Sequence, residues 1–309
     1  MTSLLTNASA ITALQNLSAT NRAMQTTQDR ISTGMRVANA SDNAAYWSIA
    51  TTMRSDNSAL STVKDALGMG SATVDVASAA LKTTSDLVTQ IKSKLVAATQ
   101  PGIDRTKIQS EIKQLQDQIK SVADSSTFSG QNWLSVDSGA ADYNATKSIV
   151  ASFTRSGSTV STGTIDIDIS KISLFDSDST GEGIIDKARD AGGTTGQALS
   201  DMDISTLTDA DADQTTLKEY ISIADAALTD VTTAASDLGA VKTRIGMQSD
   251  FVSNLMDAVT KGIGQLVDAD MNQESTRLQA LQVQQQLGVQ SLSIANQSSQ
   301  QILSLFRGG

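Results

Sequence analysis

Apolar residues that step alternately by three and four along a chain fall on one stripe of a helix, where a second helix can pack. Four stretches carry that spacing. Near the N-terminus Leu17, Met24 and Ile31 recur at sevens, with Leu14 and Met35 on the neighbouring line and polar Asn21 and Gln28 between them, a weak and wet seam. A cleaner run follows at Val74, Ala77, Leu81, Thr84, Val88, Ile91, Leu95 and Ala98, and Pro101-Gly102 ends it, since Pro lacks the amide proton that a continuing helix needs. Ile108, Ile112, Leu115, Ile119 and Val122 then resume the spacing, which predicts a second helix folded back antiparallel on the first.

From Ala140 to about Thr208 the period is lost and Gly, Ser, Thr and Asp dominate. Thr164 to Ile172 instead alternates, with Ile165, Ile167 and Ile169 on one side, a strand pattern. Such a segment reads as a surface module that tolerates shortening. Helical spacing returns at Leu217, Ile221, Ala224, Leu228, Val231, Ala235 and Leu238. It continues through Val241, Ile245, Val252, Leu255 and Val259 after one short step beside Gly239, the mark of a stammer that overwinds a seam. The last segment places Leu278, Leu281, Gln285, Gly288, Leu292, Ala295, Ser299, Ile302 and Phe306 at three-four spacing with polar members in line. The predicted fold class is mainly α: a long-helix coiled-coil bundle from both chain ends with a small β-containing central insert. The weak seams at the two ends suggest segments that order against a partner; the plainer reading is two ordinary amphipathic helices on one domain.

Composition narrows the function. The 309 residues are only 3% aromatic, so the core must be built from small and aliphatic side chains. The chain has no His and no Cys, which removes imidazole and thiolate ligands, cysteine nucleophiles and any Ser-His-Asp arrangement; no metal, cofactor or catalytic residue is expected. A formal charge of -10 opposes phosphate contacts, so nucleic acid is a poor partner. No stretch approaches the roughly 20 apolar residues of a membrane span, and MTSLLTNASA lacks the basic start and apolar run of a signal peptide.

Other signals weigh less. Asp176, Asp178, Thr180 and Gly181 imitate the start of a calcium loop, but Lys187 stands where its bidentate Glu belongs, and Asp209, Asp211 and Asp213 lack the central Gly. Asn7, Asn16, Asn39, Asn144 and Asn296 begin N-x-Ser/Thr triplets, common by chance in so Ser/Thr-rich a chain. Tyr46 and Trp47 beside Ile49 read as packing residues. Asp268 and Asp270 lack the nucleophile, metal ligands or phosphate loop that acid-base chemistry would need, so no enzyme is expected.

Two segments are recognisable. The run from Thr33 to Ser55, centred on Gly34, Arg36, Asp42, Asn43, Ala44, Ala45, Ile49 and Ala50, resembles the signature of bacterial flagellins. So does the run from Leu266 to Phe306, through Asp268, Asp270, Glu274, Gln285, Gly288, Asn296 and the Ile302-Leu305 end; Leu238-Val241 and Arg244 add a shorter match. The resemblance covers about residues 1–135 and 212–309. Tyr46, where many members have Gly, and Ser298, near which many have Pro, depart from it. The short middle is like that of the compact flagellins of soil bacteria with complex filaments.

What the resemblance implies is a structural subunit that self-assembles through its coiled ends into a flagellar filament for swimming motility. The alternative is the adaptor at the hook-filament junction, and a secreted adhesin is a third class. The implied layout places 1–40 and 265–309 as paired terminal helices in the filament's inner core, 41–139 and 209–264 as a helical bundle forming the outer tube, and 140–208 as a variable surface insert. The implied partners are further copies of the chain, other flagellins, the export apparatus, the filament cap and hook-associated proteins, with export and no cleaved signal peptide. The assembly seam expected is Leu17, Met24, Ile31, Leu278, Leu281, Leu292, Ala295, Ile302 and Phe306. The resemblance also implies detection by a Toll-like receptor that reads the exposed helical hairpin. Activating members carry an Arg four residues before a Leu-Ala-Val-like step. Here that position aligns with Ile91, beside Ser93, while Glu111 matches; weak recognition is expected, with Ile91 as core on the plainer reading.

Overall fold

The computed structural model describes residues 7–157, 159–178, 182–189 and 196–307, with side chains described as far as Ser298. The elements are α1 (Ala8–Thr33), α2 (Ala44–Ala98), α3 (Arg105–Ser125), β1 (Thr127–Phe128), β2 (Gln131–Asn132), β3 (Ser135–Val136), β4 (Thr146–Ser156), β5 (Thr159–Asp168), β6 (Phe175–Asp176), α4 (Asp211–Val267) and α5 (Met271–Arg307). Helices thus dominate both ends and short strands the middle, the class that the periodicity predicts. The described residues fall into two compact units, residues 1–57 with 257–309 and residues 58–256.

In the larger unit the three-four line of α2 runs unbroken through Leu60, Val63, Leu67, Gly70, Val74, Ala77, Leu81, Thr84, Val88, Ile91, Leu95 and Ala98, and every one of them is buried. The helix therefore begins its seam well before Val74, where the pattern was first clear. Helix α4 lies antiparallel to it, with Lys242 paired to Asp75 at 2.6 Å and Lys92 paired to Asp225. Helix α3 returns beside α2 after the Pro101-Gly102 turn, where Gly102 takes φ 78°, a left-handed value that a side chain resists. Arg105, 6% exposed, closes this end: it donates to the carbonyls of Ala98 and Leu207 and to Asp209.

The structure corrects the seam of α4. Its buried line is Leu217, Tyr220, Ala224, Ala227, Val231, Ala234 and Leu238, with Ile221, Leu228 and Ala235 only flanking it. Once the line steps from Ala234 to Leu238 and on through Val241, Ile245 and Val252, the expected short step beside Gly239 disappears. The helix continues without a stammer. Ile91 is likewise corrected: it is fully buried in the α2 seam, so it is no surface position for a receptor, and an Arg there would put a guanidinium into an aliphatic core.

The middle of the chain completes this core rather than standing apart from it. The β1–β2 hairpin turns through Ser129 and Gly130, both at positive φ, as a tight two-residue turn requires. Strands β4 and β5 pair antiparallel, with a bulge at Ala151 whose carbonyl accepts from Gln248 Nε2 at 2.9 Å. The strand expected over Thr164–Ile172 lies partly in β5. It stops at Asp168, which caps a 3₁₀ turn by accepting from Ser170 N, so Ile165 and Ile167 are buried from the strand and Ile169 from the turn. Ile149 seats against Gly70, where an added Cβ would come within 2.6 Å of its Cδ1. Buried Gln116 donates to the carbonyls of Leu199 and Met202, at 2.8 and 3.2 Å, and so ties α3 to the chain that follows the strands. Trp133 is 4% exposed in the same core.

Of the acidic residues that imitated calcium loops, Asp176, Asp209 and Asp213 accept backbone amides. Asp176 accepts from the amides of Ser138 and Asp178, and Asp186 Oδ2 accepts from Asp176 N at 2.7 Å. Burial pushes the Asp186 carboxyl up. Burial pushes Asp176 the same way, but its hydrogen bonds from Ser138 outweigh that and hold it below the usual range. Thr180 and Gly181 lie outside the described residues.

Candidate functional site: the paired terminal helices

The smaller unit is built on α1 and α5. Asn7 caps α1, its Oδ1 accepting from Ala10 N at 3.0 Å and so satisfying an amide that the first helical turn leaves free. Gly34, at φ 74°, ends the helix with its amide on the Arg30 carbonyl, a left-handed stop that Gly takes without strain. Asp270 opens α5 by accepting from the amides of Asn272 and Gln273.

The two helices run antiparallel. Asn7 Nδ2 donates to the Ala295 carbonyl, Leu17 sits at Gly288, Asn21 accepts from Gln285 Nε2 at 2.9 Å, and Arg30 pairs with Glu274 at 3.0 Å. On α5 the line Glu274, Leu278, Leu281, Gln285, Gly288, Leu292 and Ala295 is wholly or partly buried. On α1 the line is Ala10, Ala13, Leu17, Thr20, Met24, Thr27 and Ile31. Leu17, Met24 and Ile31 therefore sit on the contact line, while Leu14, Asn21 and Gln28 are exposed and their places are taken by Ala13, Thr20 and Thr27. Thr20, a polar member of the line, returns its hydroxyl to the carbonyl of Asn16 four residues back, at 2.9 Å, and the exposed Thr12, Thr26 and Thr33 beside the line do the same.

Between these helices and the starts of α2 and the end of α4 lies a second, smaller cluster. Val37, Ala50, Ile263 and Val267 are buried, with Met35 and Met53 against them. The chain segments cross here through backbone bonds: Arg36 N and Val37 N donate to the Val267 carbonyl, Ala269 N donates to the Gly34 carbonyl, and Met35 bridges Asp268. Arg36 Nη2 adds a bond to the Leu266 carbonyl at 3.1 Å. Asp42 accepts from the amides of Ala38 and Asn39, and Asn43 Oδ1 accepts from Tyr46 N, so that Ala44 and Ala45 form the first turn of α2.

The signature residues are thus mostly caps and crossing points: Gly34, Arg36, Asp42, Asn43, Asp268 and Asp270 each fix backbone direction. Gln285 lies on the contact line, whereas Asn296 is exposed beside it. The side chains of Ile302 and Phe306 lie outside the described residues. The sequence pattern does not announce Ala13 and Thr27 on the line, Arg30 beside it or the Asn7 bond to Ala295; of these only Asn7, a cap type just before a helical stripe, carries a local signal.

The outer faces of the pair are apolar. Ile11, Leu14, Val283, Leu287, Val289 and Ile294 are more than half exposed, Leu14 and Leu287 at 58% and Ile294 at 66%. Trp47 is 37% exposed near the start of α2. Large side chains gathered in water on one helix pair mark an interaction surface. Among the described residues no group of acidic side chains is arranged to hold a metal ion, and no helix is long and apolar enough to cross a membrane.

Comparison with known proteins gives the same assignment to the two ends of the chain. Residues 4–138 match the bacterial flagellin N-terminal helical region, and residues 221–306 match the bacterial flagellin C-terminal helical region. Flagellin C of Rhizobium meliloti (strain 1021) is 50% identical over 322 residues, spanning 99% of this chain and 100% of the relative. Flagellin of Brucella melitensis biotype 1 is 45% identical over 309 residues, 100% of each. Flagellin A of Rhizobium meliloti is 42% identical over 399 residues, 99% of this chain and 100% of the relative.

Proposed function

The chain belongs to the bacterial flagellin family and is a structural subunit of the flagellar filament, and from that premise we propose that the antiparallel α1/α5 pair is its assembly module. The observation that carries this is the set of exposed apolar side chains, Ile11 and Leu14 on α1 and Val283, Leu287 and Ile294 on α5, that stand outside the pair's own contact line. A second copy covers these side chains. A contact in which the covered and covering faces differ is head-to-tail, and one that does not close propagates as a helix.

In this reading residues 1–40 and 265–309 form the inner core of the filament, 41–139 and 209–264 the outer tube, and 140–208 faces outward. The insert's buried residues root it in the tube while its polar loops meet water. The filament is extracellular, reached through the export apparatus, and it grows under a cap from hook-associated proteins. Relatives named Flagellin A, B, C and D in Rhizobium meliloti support co-assembly with other flagellins. Weak recognition by the innate receptor remains part of the proposal: Glu111 is tied to Lys94 at 2.5 Å, and Ser93 offers no guanidinium. Nothing in the residues or the relatives favours the junction adaptor.

Seeded polymerisation followed by electron microscopy tests the module. The full chain is expected to extend seeds, and chains lacking residues 1–35 or 275–309 to remain helical by circular dichroism without extending them. Regular filaments from either truncated chain would refute the paired-end mechanism.

A further inference from the structure

The contact line of α1 is nearly degenerate to a slip of one heptad. On α1 the larger members, Leu17, Met24 and Ile31, recur at sevens, and so do the smaller ones, Ala13, Thr20 and Thr27. Sliding α1 by seven residues therefore puts large on large and small on small, and apolar packing has little with which to oppose it. Backbone bonds tie Gly34–Val37 to Val267–Ala269 just beyond the two helices, and along the helices themselves the antiparallel register must be chosen by side chains that do not repeat.

Arg30 and Glu274 do not repeat. The heptad equivalents of Arg30 on α1 are Ala23 and Asn16, and those of Glu274 on α5 are Leu281 and Gly288. Glu274 is 6% exposed, its Oε1 accepts from Arg30 Nη1 at 3.0 Å, and its Oε2 is buried with no partner. In a chain slipped by one heptad Glu274 would face Ala23, leaving a buried carboxylate without its Arg30 partner, an arrangement far costlier than the loss of a few methyl contacts. A second feature acts in the same sense: Gly288 leaves the space that Leu17 Cδ1 fills, and an added Cβ there would lie 3.3 Å from it.

We propose that the Arg30–Glu274 pair is the register pin of the terminal helices, selecting the single alignment in which the exposed faces of successive subunits match. The inference rests on the paired-end reading and adds to it which residues choose the alignment. The half-satisfied carboxylate is a poor source of stability and a strong source of specificity, because every other register leaves it worse off.

The absence of Cys from the chain makes disulfide trapping a clean test. Three full-length variants each carry Gln285→Cys with one of Leu14→Cys, Asn21→Cys or Gln28→Cys, and oxidised intramolecular cross-links are resolved by gel mobility in soluble chain and in seeded filaments. In the parent background the 21–285 pair is expected to cross-link and the 14–285 and 28–285 pairs not. Adding Glu274→Ala should bring out one or both slipped cross-links and raise the critical concentration for polymerisation about tenfold or more. The exchange Arg30→Glu with Glu274→Arg should restore both the single cross-link and polymerisation. If Glu274→Ala leaves 21–285 as the sole cross-link, or if the exchange fails to restore polymerisation in a chain with parental circular dichroism, the pin is overturned. Failure of the unsubstituted chain to polymerise would instead overturn the paired-end reading on which it rests.

Discussion

On α2 every three-four position from Leu60 to Ala98 is buried, whereas on α1 the same spacing from Ala10 to Ile31 buries only Ala13 and Thr27 and leaves the others half in water. The two lines share a period and differ in what covers them. Helix α2 packs in a unit where α3, α4 and the strands contribute to one core, so its stripe is closed from several sides. Helix α1 has one antiparallel partner, which can cover the centre of a stripe but not its flanks. Period therefore announces that a helix packs, and the number of neighbours decides whether the packing is dry. The uncovered flanks of α1 and α5 are what leaves a subunit something to offer the next one.

The largest effect expected from a single residue follows from that contrast. Leu81→Ala, at a fully buried position, should cost about 3 kcal/mol of unfolding free energy for the larger unit, through lost transfer energy and a cavity. Leu17→Ala, half-buried on a single contact line, should cost below about 1 kcal/mol in the soluble chain, yet it should slow seeded growth. Urea denaturation followed by circular dichroism measures both; equal costs would mean that the terminal pair is as dry as the bundle.

A smaller effect concerns the close approach of strand to helix at Gly70. Replacing this Gly by Ala gains about 1 kcal/mol of helix propensity, but the new Cβ meets Ile149 and overpacking costs about 2 kcal/mol, so net destabilisation of about 1 kcal/mol is expected. In an Ile149→Ala background the same substitution should turn stabilising. Calorimetric midpoints of the four proteins read the reversal, and no change of sign would show that the strand yields freely.

Thr84 sharpens the dry side of the comparison in the opposite direction. Its hydroxyl is fully buried in the α2 seam without a hydrogen-bond partner, so Thr84→Val, which keeps the shape and removes the orphan group, should stabilise by about 1 kcal/mol. A lower melting temperature would mean that the hydroxyl is satisfied in solution.

The smallest expected effect is a pH dependence carried by Asp186. Burial raises its carboxyl, so the folded state favours the neutral form. That stabilisation is present at low pH and is lost as pH rises through the folded-state value. Asp186→Asn should therefore flatten the dependence of the larger unit's stability on pH just above the usual carboxylate range. An unchanged profile in urea titrations across that window would rule the contribution out.

Much of this architecture was legible in the sequence, and the misses share a cause. The seam of α2 could be read from Val74 onward because aliphatic residues hold nearly every position of it. On α1 and α4 the reading slipped by one residue at alternate positions, taking Leu14 for Ala13 and Leu228 for Ala227. Positions three and four beyond an anchor both adjoin it, and hydrophobicity favours the larger side chain, whereas close helix approach favours the smaller. The central segment hid its part in the core because its buried residues, such as Ile149, Leu199 and Met202, follow no helical period. The caps at Asn7, Asn43 and Asp270 are readable from side-chain chemistry near the helix starts. The Arg30–Glu274 pair is not, since its members stand 244 residues apart and nothing local relates them.

The two tryptophans fall one in each compact unit, Trp133 at 4% exposure in the larger and Trp47 at 37% in the smaller. The chain accordingly carries its own optical probes. Emission from Trp133 should be blue-shifted and shielded from dissolved quenchers for as long as the bundle stays folded. Emission from Trp47 begins partly open to water and reports whatever comes to cover the terminal unit, so one spectrum separates unfolding of the bundle from association through the ends.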